Sequence, residues 1–269
     1  MPKVLAIELS DGDAKVVVLS STKGTVRVEY AGQQAFAPAA RDEQGAAIRA
    51  EAVRALLKGA GGRFDACALV VPKQCATVRR VRLPSADMAE IASMAQFEAE
   101  KLIPFNVERH IIGFAMLTVD GVEGSEVLIA AVDEPVMDSW SMSVEQAGVE
   151  PTLAEVSSLA LAHGYAKGAT AETLAIPTAL VHVGLVHTDI TFLRDGSVVT
   201  TASVGVGVNA LRRDLAAALP AGTEVPLERL SELALGTADP AAAFRRHDGP
   251  PDLAVVPDEP TDRAAGDAA

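Results

Sequence analysis

VLAIELSDGDAKVVVL, residues 4–19, sets two β-branched runs on either side of a small polar turn, Ser10-Asp11-Gly12-Asp13, with Lys15 two residues beyond it. Apolar and polar residues alternate with period two on both sides, so the stretch reads as a β-hairpin. Its turn has two readings. Backbone N–H groups in a glycine-containing turn, with a lysine nearby, can cradle a phosphate. The same letters also describe an ordinary hairpin whose lysine points to solvent. Working outward, TVRVEYA follows after a second tight turn, TKG, and completes a three-stranded antiparallel meander over the first thirty residues.

The rest of the chain narrows the field. It has 269 residues, enough for one large domain or two modest ones. Apolar residues make up 49% and aromatics only 4%, so small side chains must do the packing and stacking platforms for bases are excluded. Acidic residues outnumber basic ones 36 to 23, for a net charge of -13. Such a chain repels phosphate backbones and anionic lipid, which argues against nucleic acid as a partner. Arg79, Arg80 and Arg82 are the densest basic group and read as solvated charges on an edge strand. Cys67 and Cys75 lie eight apart without a CxxC pattern, as expected of thiols in a reducing compartment. MPKVLAIELS enters a strand directly, without the apolar stretch of a signal peptide, and no run of ~18 apolar residues occurs. The expected location is the cytoplasm.

After the meander, residues 46–60 have helical spacing with a glycine stop, 66–72 form a short apolar strand, and 77–83 alternate again. A long helix is predicted within 84–105, capped by Ser85 or Asp87, with Ile91, Met94, Ala95 and Leu102 on one face and Pro104 ending it. Two alternating segments (110–119 and 125–132), a helix, a short strand PTLAEV and the helix SSLALAHGYAKG come next. Beyond Pro177 the opening pattern returns: ALVHVGL, TDITFLRDG and SVVTTASVG read as a second meander, with GVNALRRDLAAAL as its following helix. From about residue 236 the text is rich in Pro, Ala and Asp without period, the composition of a disordered acidic tail or linker.

Two meanders with tight first turns, separated by βαβ-like material, resemble the duplicated actin-like (ribonuclease H-like) ATPase fold. VRLPSADMAEIASMAQFEAEKLIPFNVERHIIGFAML is similar to the stretch of the PilM pilus-assembly family in which an "LP" strand end leads into a helix closing in "IPF". VEQAGVEPTLAEVSSLALAHGY is similar to that family's "AG-x-x-P" segment, and the resemblance extends to the cytoplasmic domain of the type II secretion protein GspL, over roughly residues 3–235. It implies an α/β class and four parts: a first actin-like subdomain at 1–79, an inserted α/β subdomain at 80–152, a partial second actin-like subdomain at 153–235, and a tail at 236–269. The second half is expected to be incomplete, because the family's last ~100 residues have no counterpart before the tail.

The resemblance also implies a site. In the family the first and second meander turns grip nucleotide phosphates, with a carboxylate holding Mg²⁺ through water. The first motif would read D-x-G-x-x-x-x-K, and here Glu8 stands for the Asp, Ser10 for the glycine, and Lys15 is retained. The second would begin Asp-x-Gly, and here the letters are His182, Val183 and Gly184. Gly205 and Gly207 open a helix whose N-terminus attracts anions. Imidazole is no substitute for an oxygen ligand on Mg²⁺, and a Cβ at position 10 hinders a turn that needs φ > 0. The residual nucleotide-binding set is therefore Glu8, Ser10, Asp11, Gly12, Lys15, Gly184, Gly205 and Gly207, with no catalytic residue and no metal ligand. The expected function is a scaffold of a type IV pilus or type II secretion platform. It would bind the cytoplasmic tail of a PilN-type inner-membrane protein, and other platform proteins, and meet the membrane only through them. Its peptide groove would lie between the first subdomain and the insert. The alternative is an actin-like protein that binds or hydrolyses ATP with Mg²⁺.

Other constellations are weaker. The five histidines, at 110, 163, 182, 187 and 247, show no metal spacing. No GxSxG or Cys–His signature is present. Glu98 and Glu100 beside Lys101 read as a solvated helix face.

Overall fold

A computed structural model of the chain describes residues 2–10, 12–23, 25–37, 39–102, 109–120 and 124–219. Asp11, the IPF segment at 103–105 with its Pro104 stop, and everything from residue 220 onward, including the expected tail, lie outside the described residues.

The opening meander forms as its alternation dictates: β1 (Lys3–Leu9), β2 (Asp13–Thr22) and β3 (Thr25–Ala35), all antiparallel. Two parallel strands extend it, β4 (Ala66–Val71) beside β1 and β8 (Leu153–Val156) beside β4, for the order β3-β2-β1-β4-β8. Every second residue of the first hairpin, Leu5, Ile7, Leu9, Val16 and Val18, is fully buried. These side chains pack under α1 (Glu43–Ala60) and α3 (Glu134–Gln146), which contribute Val53, Leu56, Trp140 and Val144. Each such aliphatic side chain contributes on the order of 1.5–3 kcal/mol. Helix α1 starts three residues before the predicted 46, because the Asp42 carboxylate accepts from the Gly45 N–H at 2.8 Å and caps it there.

A second, three-stranded sheet has the order β5-β7-β6, from β5 (Ala76–Leu83), β7 (Gly124–Asp133) and β6 (His110–Asp120). Its outer face packs on α2 (Met88–Leu102) through Ile91, Ala95 and Ala99. Of the two predicted caps of α2, Asp87 serves: its carboxylate accepts from the N–H groups of Ala89 and Glu90. Arg79, Arg80 and Arg82 do lie on an edge strand, but Arg80 is engaged, pairing with Glu126 and donating to the Val198 carbonyl.

Helix α4 (Ser157–Gly168) leads to the third sheet, β11-β10-β9, formed by β9 (Thr178–Val183), β10 (Thr188–Arg194) and β11 (Ser197–Val204). Leu159 and Ala162 of α4 pack on Leu193 and Val198 of this sheet and on Val78 and Leu128 of the second. A one-turn helix, α5 (Ala171–Leu174), precedes β9 and was not predicted, being too short to show a period. The last described helix, α6 (Val208–Ala218), begins in the unit Met1–Ala210 and runs into the unit Leu211–Ala269.

Helix α3 joins the core of the first sheet and β8 extends that sheet, so the separate layer is β5, α2, β6 and β7. Sequence separation gave no hint, since α3 meets α1 only across the folded chain.

Candidate functional site

The first turn is closed on itself. Ser10 N–H donates to the Asp13 carbonyl at 2.9 Å, and the Ser10 hydroxyl accepts from the N–H groups of Gly12 and Asp13 at 3.2 and 3.0 Å. Ser10 Oγ in turn donates to the Asp13 carboxylate, which also takes a bond from Gln33 Nε2 at 2.5 Å. Two N–H groups of the turn are thus taken up by the Ser10 side chain. Directly across the hairpin, Glu8 pairs with Lys15, whose Nζ lies 3.3 Å from Glu8 Oε2 and 3.9 Å from Asp13 Oδ2. The ammonium therefore sits between two carboxylates.

The third sheet repeats this geometry. Gly184 N–H donates to the His187 carbonyl at 2.9 Å, as Ser10 does to Asp13, and His182 faces Asp189 across the strands as Glu8 faces Lys15. The register makes Glu8 equivalent to His182, Ser10 to Gly184, Asp13 to His187 and Lys15 to Asp189. The two turns meet: a Cβ added to Gly12 would come within 2.6 Å of Leu185 Cδ1, so the Leu185 side chain already rests against the first turn. Between them remains a cleft of about 40 Å³, lined by Glu8, Ser10, Gln74, His182, Leu185 and Asp189, among others. That is room for a few waters.

Helix α6 offers its first N–H groups elsewhere. Val208 N–H donates to the Gly184 carbonyl and Asn209 N–H to the Leu185 carbonyl, both at 2.9 Å. Gly207 permits this contact, because a Cβ there would lie 2.5 Å from the Gly184 carbonyl oxygen. Two N–H groups of the helix start expected to attract an anion are thus bonded to the second turn.

Charge in the cleft is also unlike that of a phosphate site. Its lining includes the carboxylates of Glu8 and Asp189 and, among the described residues, no lysine or arginine. Asp189 is 8% exposed, and its Oδ1 accepts no hydrogen bond from a described group. Its charge acts on Lys73, itself buried, whose Nζ donates to the Ala76 carbonyl at 3.0 Å. Burial holds the Lys73 ammonium below the ordinary lysine range, while Asp189 pulls it partly back. Among the described residues no group of three or more His, Cys, Asp or Glu side chains is placed to hold a metal ion.

A second concavity lies between the first and second sheets. It has about 360 Å³ and is lined by Ile111, Gly113 and Ala115 of β6, Ala130 of β7, and Glu155 and Val156 of β8, among others.

The family model of the type IV pilus assembly protein PilM matches residues 6–219. The chain belongs to the PilM family. No curated protein matches this PilM-family chain. A solved PilM–PilN type IV pilus biogenesis complex is similar at 20% identity with a TM-score of 0.69, over 86% of this chain and 68% of that one. The cytoplasmic domain of EpsL, an inner-membrane component of the type II secretion system of Vibrio cholerae, is similar at 17% identity and a TM-score of 0.44, over 83% of this chain and 80% of that one. The ethanolamine utilization protein EutJ from Carboxydothermus hydrogenoformans is similar at 15% and 0.47, over 87% and 61%. The fold of this PilM-family chain is the duplicated actin-like ATPase fold.

Of the expected set, Glu8, Ser10 and Gly184 line the cleft, Gly12 lies against Leu185, Lys15 stands beside Glu8, and Gly207 backs the second turn. Gly205 has open space around its Cα and makes no close approach. Sequence reading missed Leu185 and Asp189. Asp189 was findable, since aligning the two meanders sets it opposite Lys15. Leu185 carries no signature, because an apolar residue in a turn looks like any other until its neighbour is known.

Proposed function

We propose that this chain is a scaffold of a type IV pilus or type II secretion inner-membrane platform, one that binds the cytoplasmic tail of a PilN-type protein and hydrolyses ATP little or not at all. The observation that carries the proposal is the state of the paired turns: Lys15 is held between Glu8 and Asp13, and Leu185 rests against Gly12 of the first turn. Removing the metal-positioning acid and the phosphate-binding donors takes away most of what phosphoryl transfer asks of a protein. Membership of the PilM family supports the platform role, and the similar structure is of a PilM–PilN complex. We read the layer of β5, α2, β6 and β7 as the inserted subdomain and the groove beside it as the seat of the partner's tail. Among the described residues no helix is long and apolar enough to cross a membrane, which accords with a location at the cytoplasmic side reached through partners.

Two measurements test this. Titration with a peptide of the cytoplasmic tail of a PilN-type protein is expected to saturate in the micromolar range. No binding at high micromolar peptide overturns the partner assignment. Melting with and without saturating Mg-ATP is expected to give superimposable curves. A ligand present at 100 times its Kd would add about 2.7 kcal/mol of stability, so a clear upward shift restores the ATP-binding alternative.

A further inference from the structure

A second space adjoins the cleft between the paired turns and shares Glu8, Ser157 and His182 with it. It measures about 270 Å³ and lies on the face of the first sheet turned away from α1 and α3. Ala6, Val17 and Val70 of that sheet and Ala160 and Leu161 of α4 make its walls apolar. We propose that cleft and chamber together bind a small cationic amphiphile, with a primary ammonium in the cleft and an apolar body the size of a substituted aromatic ring in the chamber. Apolar walls meeting a few convergent polar groups are the usual make-up of a small-molecule site.

Asp189 sets the sign of the charge that the cleft accepts. It lines the cleft at 8% exposure, and its Oδ1 accepts no hydrogen bond from a described group. A buried carboxylate oxygen left in that state is costly, and an ammonium answers it with three donors and a charge. An ammonium is also the size of a water, which the cleft's 40 Å³ admits. With the histidines neutral, three carboxylates around the two spaces, Glu8, Asp13 and Asp189, stand against the ammoniums of Lys15 and Lys73, one positive charge short of balance. Lys15 is in the lining of the chamber, but it lies 3.3 Å from Glu8 Oε2 and 3.9 Å from Asp13 Oδ2, so it has no surplus charge for an anion. A carboxylate on the same apolar body is therefore the disfavoured ligand. As to size, a dry cavity of about 150 Å³ already takes benzene, and the chamber's 270 Å³ adds room for a short link to the ammonium.

The test titrates the isotope-labelled full chain with three compounds of one shape at neutral pH and follows its amide resonances. Phenethylamine is expected to saturate below about 1 mM. Phenethyl alcohol, the uncharged analogue, should bind at least about tenfold more weakly, and hydrocinnamate, the carboxylate analogue, should not bind at about 10 mM. Asp189→Asn should bring the amine down about tenfold, to the affinity of the alcohol, and leave the alcohol where it was. A general loss of structure would weaken both. Ala160→Phe fills the chamber from a half-buried position on α4 and should weaken amine and alcohol alike. The comparison of the three compounds on wild type needs no variant to fold. If the amine does not saturate, if the alcohol or hydrocinnamate binds as tightly as the amine, or if either folded variant keeps the wild-type affinity for the amine, the proposal falls.

Discussion

Arg49 keeps a guanidinium inside the first core at 1% exposure. Its Nε donates to Ser143 Oγ at 2.9 Å, its Nη2 to Ser139 Oγ at 3.0 Å and its Nη1 to the Ala40 carbonyl at 2.9 Å, with the group 4.9 Å from the Trp140 ring centroid. A single side chain therefore ties α1 to α3 and to the loop before α1. Arg49→Met retains length and apolar stem but leaves both hydroxyls and the carbonyl without this donor and removes the ring contact. A loss of about 3 kcal/mol in urea unfolding is expected, from unmet buried polar groups plus the cation–π term. Arg49→Lys should recover only part of it, since an ammonium lacks the planar fork that reaches three acceptors at once. Nothing in the sequence marked this arginine, because AAIRAEAVRALL reads as amphipathic whether position 49 faces in or out.

At the scale of elements, local grammar was enough where a signal is local. Period-two runs gave both meanders, and SSLALAHGYAKG is helical over its full predicted length. Sheet membership was another matter: PTLAEV reads as a strand, yet its place beside β4 depends on Thr152, whose N–H and hydroxyl meet the Cys67 carbonyl and N–H 85 positions away. The cap of α1 belongs to the local class and allows a clean prediction. Asp42→Ala removes one acceptor from the helix N-terminus without touching the core, and about 1 kcal/mol of stability should go with it. Asp42→Asn should restore most of that, and a melting series of the three proteins decides the matter. An equal loss in both variants would mean that the charge near the helix dipole, rather than the capping bond, is what counts.

Across the whole molecule the two halves share a scaffold and diverge in what they place on it. The family motifs, read as a resemblance, located the two turns; their surroundings depended on residues far apart in sequence, Leu185 against Gly12 and the charge of Asp189 acting on Lys73. Lys73 in the loop after β4 and Asp189 in the third sheet are both buried, and the carboxylate's charge favours the ammonium. Asp189→Asn removes a carboxylate whose charge favours the Lys73 ammonium, and a modest loss of stability near neutral pH is expected, since Lys73 keeps its bond to the Ala76 carbonyl. The pH dependence has a definite sign. Burial already holds Lys73 below the ordinary lysine value of 10.5, so on raising the pH the folded chain releases this proton before the unfolded one. Stability therefore rises with pH through that window. Without Asp189 the folded value falls further, and the rise must begin at lower pH, so the deficit of the variant shrinks as the solution becomes more alkaline. Pairing Asp189→Asn with Lys73→Met removes the stranded charge and should return much of the lost stability at neutral pH. A double-mutant cycle followed by urea unfolding across neutral to alkaline pH reads the coupling directly. Additive losses with no pH dependence would show that the two residues do not act as a pair.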